Sequence, residues 1–159
     1  MKKTNAARIL DRLRINYELL EYHADESDLS AVHLAETAGI SIALVFKTLV
    51  LEGDKNGNLV CIIPGGGEID LKKAALASGN KKVAMIRMKD LEPLTGYIRG
   101  GCSPLGMKKQ FPVFIDESAF LQPFIYISAG VRGMQLKLAP NDLLIACNGS
   151  MAAISQNQE

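Results

Sequence analysis

Lys47 stands in the run Val45-Phe46-Lys47-Thr48-Leu49-Val50, where both neighbours two places away are apolar. In an extended strand Val45, Lys47 and Leu49 share one face, so the pattern asks for an apolar side chain where a cation stands. One reading is a sheet-margin lysine whose stem lies along apolar surface while its head stays in water. The other is a cation held against an apolar wall beside a cleft. There it can hold a phosphate or a developing negative charge far more strongly than in open water. The pattern alone leaves both open. A second candidate lies in YIRGGCSPLGMKKQ, from Tyr97 to Gln110, where glycines and a Ser-Pro step describe a shaped loop. Cys102 in that loop is the type of residue that attacks carbonyls as a thiolate. Spacing places neither His23 nor His33 beside it, so no Cys-His set is evident, and Cys102 reads more simply as a small loop residue. The pairs Lys72-Lys73, Lys81-Lys82 and Lys108-Lys109 read singly as solvated faces, and several around one cleft would suit an anionic chain.

These residues need elements to hold them. Ala6, Ile9, Leu10 and Leu13 predict an opening amphipathic helix, and Tyr17 to Tyr22 a strand. Ser30 is placed to cap a helix that Gly39 ends. VFKTLVLE and NLVCIIP, joined by GDKNG, predict a β-hairpin. Asp70 begins a helix ending at Gly79, followed by a strand at Val83 to Ile86 and a helical turn from Lys89 to Leu94. PVFID, FIYIS and MQLKL read as strands, Pro140 opens a final helix closing near Gly149, and MAAIS returns as an edge strand. The expected fold class is α+β, a mixed and largely antiparallel sheet with helices packed around it.

At 159 residues the chain matches one domain, spanning 1–159, able to bury a core without disulfides or metal. Three cysteines far apart and two histidines give no zinc spacing. A formal charge of +1 argues against a partner gripped mainly through phosphates, so any RNA contact should be local and DNA is not an expected partner. No apolar run approaches a membrane span, and charged residues break up the stretch after the opening MKK, which predicts a cytoplasmic protein.

Taken together, FKTLV, DLKKAA, TGYIRGGCSPLGMKK, YISAGVRG and LAPNDL, in that order, resemble the YbaK/EbsC family of aminoacyl-tRNA deacylases, which includes the editing insertion domain of bacterial prolyl-tRNA synthetases. The resemblance implies that family's barrel-like sheet surrounded by helices, and a pocket for the charged 3′ end of tRNA walled by the glycine loop. It makes Lys47 the catalytic residue. It places Tyr22, Thr48, Gly100, Gly101, Ser103, Ser128 and Asp142 at the substrate, and Lys108 and Lys109 against tRNA phosphates. Glu68, in a looser match, receives no role. The GG-x-SPLG form followed by two lysines is similar to the branch that clears Cys-tRNA(Pro), with Cys-tRNA(Cys) as a further substrate. The alternatives are a deacylase for another small amino acid and a module that binds aminoacyl-tRNA or a synthetase without chemistry. The resemblance implies no metal or organic cofactor, and a prolyl-tRNA synthetase partner supplying tRNA selectivity.

Overall fold

The structure, a computed structural model, describes residues 2–156. Thr4 accepts the Ala7 N–H at 3.3 Å and starts α1 (Asn5–Arg12), which buries Ala6, Ala7 and Leu10. After β1 (Glu18–Glu21), Ser30 caps α2 (Ala31–Ala38), and Gly39 ends it in the left-handed region at φ 71°. A 3-10 turn at Ile42–Leu44 leads into β2 (Phe46–Gly53) and β3 (Gly57–Pro64), paired antiparallel from Phe46 opposite Pro64 to Gly53 opposite Gly57. Asp70 caps α3 (Leu71–Ser78); β4 (Val83–Met85) and α4 (Met88–Thr95) follow. The chain closes with β5 (Val113–Asp116), a 3-10 stretch at Glu117–Leu121, β6 (Ile125–Ser128), β7 (Met134–Leu138), α5 (Pro140–Ala146) and β8 (Ser150–Ala152). Each predicted element is present, most within a residue or two, though β8 stops at Ala152, short of the expected MAAIS, and α5 stops at Ala146. At the end of α5 it is Asn148, at φ 50°, that turns left-handed, while the Gly149 N–H bonds back to the Leu144 carbonyl.

The strands form two sheets, in the orders β1-β7-β6 and β4-β2-β3-β5-β8. Among the described residues a single bridge between Val45 and Tyr126 joins them at the start of β2, so the mixed sheets meet at a seam without closing into a barrel. Antiparallel pairs dominate, while β3–β5 and β5–β8 are parallel. Central β3 explains its own composition. Its alternate residues Val60 and Ile62 enter one core cluster with Phe46, Val50, Ile115 and Leu136. Leu59, Cys61 and Ile63 enter the other with Leu51, Ala74 and Ile154. A strand buried on both faces reads as a continuous apolar run, and burying each large side chain contributes roughly 1.5–3 kcal/mol.

The last strand is fastened by a carboxylate. Asp116 is 2% exposed; one of its oxygens accepts the N–H groups of Ile154 and Ser155, each at 3.0 Å, and the other accepts the N–H and hydroxyl of Ser118. Burial opposes its ionisation, yet the hydrogen bonds from Ser118, Ile154 and Ser155 outweigh burial and hold its pKa below the ordinary value. A depressed pKa gives stability that is whole above the unfolded-state value of 3.8 and is lost as pH falls through the folded one. We therefore expect Asp116→Asn to destabilise the protein by about 1–3 kcal/mol at neutral pH. Thermal melts should show that difference shrinking as pH falls below the unfolded-state value of 3.8 and through the lower folded one. A constant difference down to pH 2 would contradict the assignment.

Candidate active site

The hairpin and the short strand β4 leave an opening. Residues Leu51–Gly53 of β2 pair with β4, and the Val50 carbonyl still accepts the Ile86 N–H at 3.3 Å. Beyond Val50 toward the N-terminal end, β2 has β3 on one side only. Because ladder bonds alternate along a strand, the N–H and C=O of Thr48 point to the same open edge as the Val50 carbonyl. That edge forms one side of a cavity of about 530 Å³. Residues from both faces of β2 reach it, since the cavity wraps the strand's margin.

Val45, Phe46, Leu49, Val50, Ile86 and Leu91 make its walls largely apolar. Lys47 lies among them, half-buried, opposite Ile63 and on the face it shares with Leu49 and Leu51. Among the described residues its ammonium forms no ion pair and no hydrogen bond. An unpartnered cation against an apolar wall is free to meet an anion or a developing oxyanion, and the low-dielectric surroundings strengthen that attraction. Gly65 closes the floor behind it. Its N–H donates to the Val45 carbonyl at 2.7 Å, and a Cβ there would come within 2.6 Å of the Ala31 Cβ, so no side chain fits.

The glycine loop supplies another wall through Arg99, Gly100 and Cys102. Its shape is set by Tyr97. The Tyr97 hydroxyl donates to the Leu105 carbonyl at 2.5 Å, and the ring lies against both Gly106 and Gly130. A Cβ on Gly106 would stand 2.8 Å from that hydroxyl and one on Gly130 3.0 Å from the ring, and both glycines have positive φ. The Lys108 N–H donates to the Thr95 carbonyl and closes the loop's base. The Arg132 Nε donates to the Arg99 carbonyl at 2.9 Å and ties the loop to the segment after β6.

The structure thus brings Lys47, Thr48, Gly100 and Ser128 to one cavity. Tyr22 lies in an adjoining hollow that Gly100 also lines. Gly101 is buried against Val131 and Arg132, and Ser103 is fully buried with its hydroxyl accepting the Leu105 N–H; neither lines the cavity. Asp142 lies in the first turn of α5, away from it. Lys108 and Lys109 are exposed; the Lys108 ammonium reaches the Pro93 carbonyl, and Lys109 borders a separate hollow of about 220 Å³. Glu68 lines the main cavity with an exposed carboxylate. Among the polar lining residues, two were not singled out by sequence: Arg99, whose exposure gives no signal, and Gln135. Gln135 alternates with Met134 and Leu136 and so predicts a solvent-facing side chain, yet it is 3% exposed. Among the described residues no group of three or more His, Cys, Asp or Glu side chains is placed to hold a metal ion, and no helix is long and apolar enough to cross a membrane.

Residues 25–145 match the family model described as the aminoacyl-tRNA editing domain. An Enterococcus faecalis protein named "Putative Cys-tRNA(Pro)/Cys-tRNA(Cys) deacylase EbsC" is 51% identical over 157 residues, 99% of this chain and 96% of that protein. The Bacillus subtilis protein YwhH, described as uncharacterized, is 26% identical over 119 residues, 75% of each chain. Among solved structures, one described as "a putative trans-editing enzyme for prolyl tRNA synthetase" superposes with a TM-score of 0.82 at 22% identity, covering 99% of this chain and all of that one. At that identity the likeness bears on the fold.

Cys102 lines the cavity, but burial pushes its thiol up to about 12, and among the described residues no histidine or other base is bonded to it. Burial likewise raises Cys61 to about 12 and Cys147 to about 11. Thiolate is the reacting form, so at pH 7.5 the native protein should alkylate with iodoacetamide at least about tenfold more slowly than the unfolded chain. Peptide mapping resolves the cysteines. Fast labelling of Cys102 in the folded protein would show an activated thiol instead.

Proposed function

The chain belongs to the aminoacyl-tRNA editing domain family, and from that premise we propose that it releases cysteine from Cys-tRNA(Pro), with Cys-tRNA(Cys) as a further substrate. The observation that carries this reading is the unpartnered Lys47 on the wall of a cavity otherwise largely apolar. The 51% identical relative bears a name for the same activity.

The chemistry needs no nucleophile from the protein. In the proposed route the substrate's thiol sulfur attacks its own ester carbonyl carbon, forming a C–S bond and a tetrahedral oxyanion. Collapse breaks the bond from carbon to the ribose oxygen. The proton that leaves the thiol ends on that oxygen, and the amino acid departs as a cyclic thioester. Lys47 stabilises the negative charge as it moves from sulfur to oxygen, and the walls hold thiol and carbonyl in reacting geometry. Arg99, and beyond it the exposed Lys108 and Lys109, are proposed to meet phosphates of the acceptor strand. A net charge of +1 gives little grip on the rest of a tRNA, which supports a prolyl-tRNA synthetase as the partner that selects it.

The test is release of amino acid from a panel of charged tRNAs. Cys-tRNA(Pro) should be cleared fastest, and Ser on the same tRNA much more slowly, because a hydroxyl is a far weaker nucleophile than a thiol. Equal clearance of both would point to attack by water, and binding without release would leave a binding module.

Lys47→Met keeps the length of the side chain and removes only the charge. We expect kcat/KM for Cys-tRNA(Pro) to fall by about 100-fold or more with the melting temperature little changed, since the substituted group stabilises a transition state and not the core. Near-normal turnover in the folded variant would return Lys47 to the role of a sheet-margin residue.

A further inference from the structure

We propose that Gln135 and Thr48 form an acceptor subsite for the α-ammonium of the aminoacyl ester, an inference that rests on the deacylase reading. Gln135 Oε1 and Thr48 Oγ1 are buried side-chain atoms with no hydrogen-bond partner among the described residues. Both residues line the main cavity, and Gln135 is 3% exposed. Buried polar atoms in native proteins are almost always paired, so two orphans on one cavity mark a place where a ligand completes the bonding. They come from different sheets. Gln135 sits on β7 directly opposite Ser128 on β6, while Thr48 belongs to the open margin of β2.

The chemistry of the two atoms selects the ligand group. The Gln135 oxygen can only accept a hydrogen bond and the Thr48 hydroxyl, which also donates, can accept one; the α-ammonium is the one group of an aminoacyl ester that offers only donors, three of them. The ester oxygens need donors, which Lys47 and the Thr48 N–H on the open edge of β2 can supply. Successive side chains leave a strand on opposite faces, so Thr48 and Lys47 meet the cavity from different sides of the β2 margin. Recognition of the ammonium would distinguish an aminoacyl ester from a peptidyl one, whose nitrogen carries an acyl group in place of two of those donors.

The experiment compares Cys-tRNA with N-acetyl-Cys-tRNA, both on tRNA(Pro), for the wild-type protein, Gln135→Met, Gln135→Glu and Thr48→Val. The wild type should prefer the free amine by about tenfold or more in kcat/KM, the size expected for a hydrogen bond to a charged group. Gln135→Met should lose that preference by slowing on the free amine while staying within about twofold of wild type on the acetylated substrate. Gln135→Glu keeps an acceptor and should keep the preference. Equal losses on both substrates, an undiminished preference in Gln135→Met, or its loss in Gln135→Glu would each overturn the assignment. Should the methionine variant fail to fold, Thr48→Val carries the same expectation of a reduced preference, and an undiminished one there overturns it. A wild-type protein that releases both substrates equally removes only this inference, whereas one that releases neither removes the deacylase reading itself.

Discussion

The cavity exists because β4 is too short. Three residues of β4 cover the far end of β2, and the ladder stops before Thr48, leaving a stretch of strand margin without a neighbour on that side. An open margin normally exposes unpaired backbone groups to any passing strand. Here the second sheet approaches through the Val45–Tyr126 bridge, and α2 and the glycine loop contribute the remaining walls, so the margin is recessed and not presented. Lys47 and Thr48, adjacent in sequence and on opposite faces, both reach the same space for that reason. On a strand covered along both sides they would belong to separate environments.

The core depends on the same arrangement. With β3 central and apolar on both faces, the larger sheet has rigid material behind the open stretch of β2. Asp116 fastens the segment after β8 where a run of side chains could not, since its two oxygens satisfy three backbone N–H groups and a hydroxyl. The candidate site therefore stands on a sheet held at both ends.

Much of this was legible in the sequence. Ser30 and Asp70 as caps, Gly39 and Gly79 as left-handed ends, and the Asn-Gly turn at Asn56-Gly57 act through local geometry, and local geometry is what a sequence displays. Lys47 was visible because it broke an apolar pattern. Gln135 was hidden because it obeyed one: a polar residue alternating with Met134 and Leu136 looks solvent-facing, and only the folded chain buries it. Ser103 shows the reverse. Its place in a motif suggested a ligand, while its hydroxyl is occupied by the Leu105 N–H. Sheet-to-sheet contact at the Val45–Tyr126 seam joins residues some eighty positions apart, and no local pattern records it.

Tyr97 gives the glycine loop a thermodynamic character that its composition conceals. A segment with so many glycines loses more conformational freedom on ordering than most. Wedged against Gly106 and Gly130, bonded to the Leu105 carbonyl and closed by the Lys108 N–H, the loop meets that loss when the protein folds. A ligand entering beside Gly100 finds the wall already in place, and its binding free energy is not diminished by the ordering of a mobile chain. The glycines thus act through shape, and the flexibility usually attributed to them is surrendered before any substrate arrives.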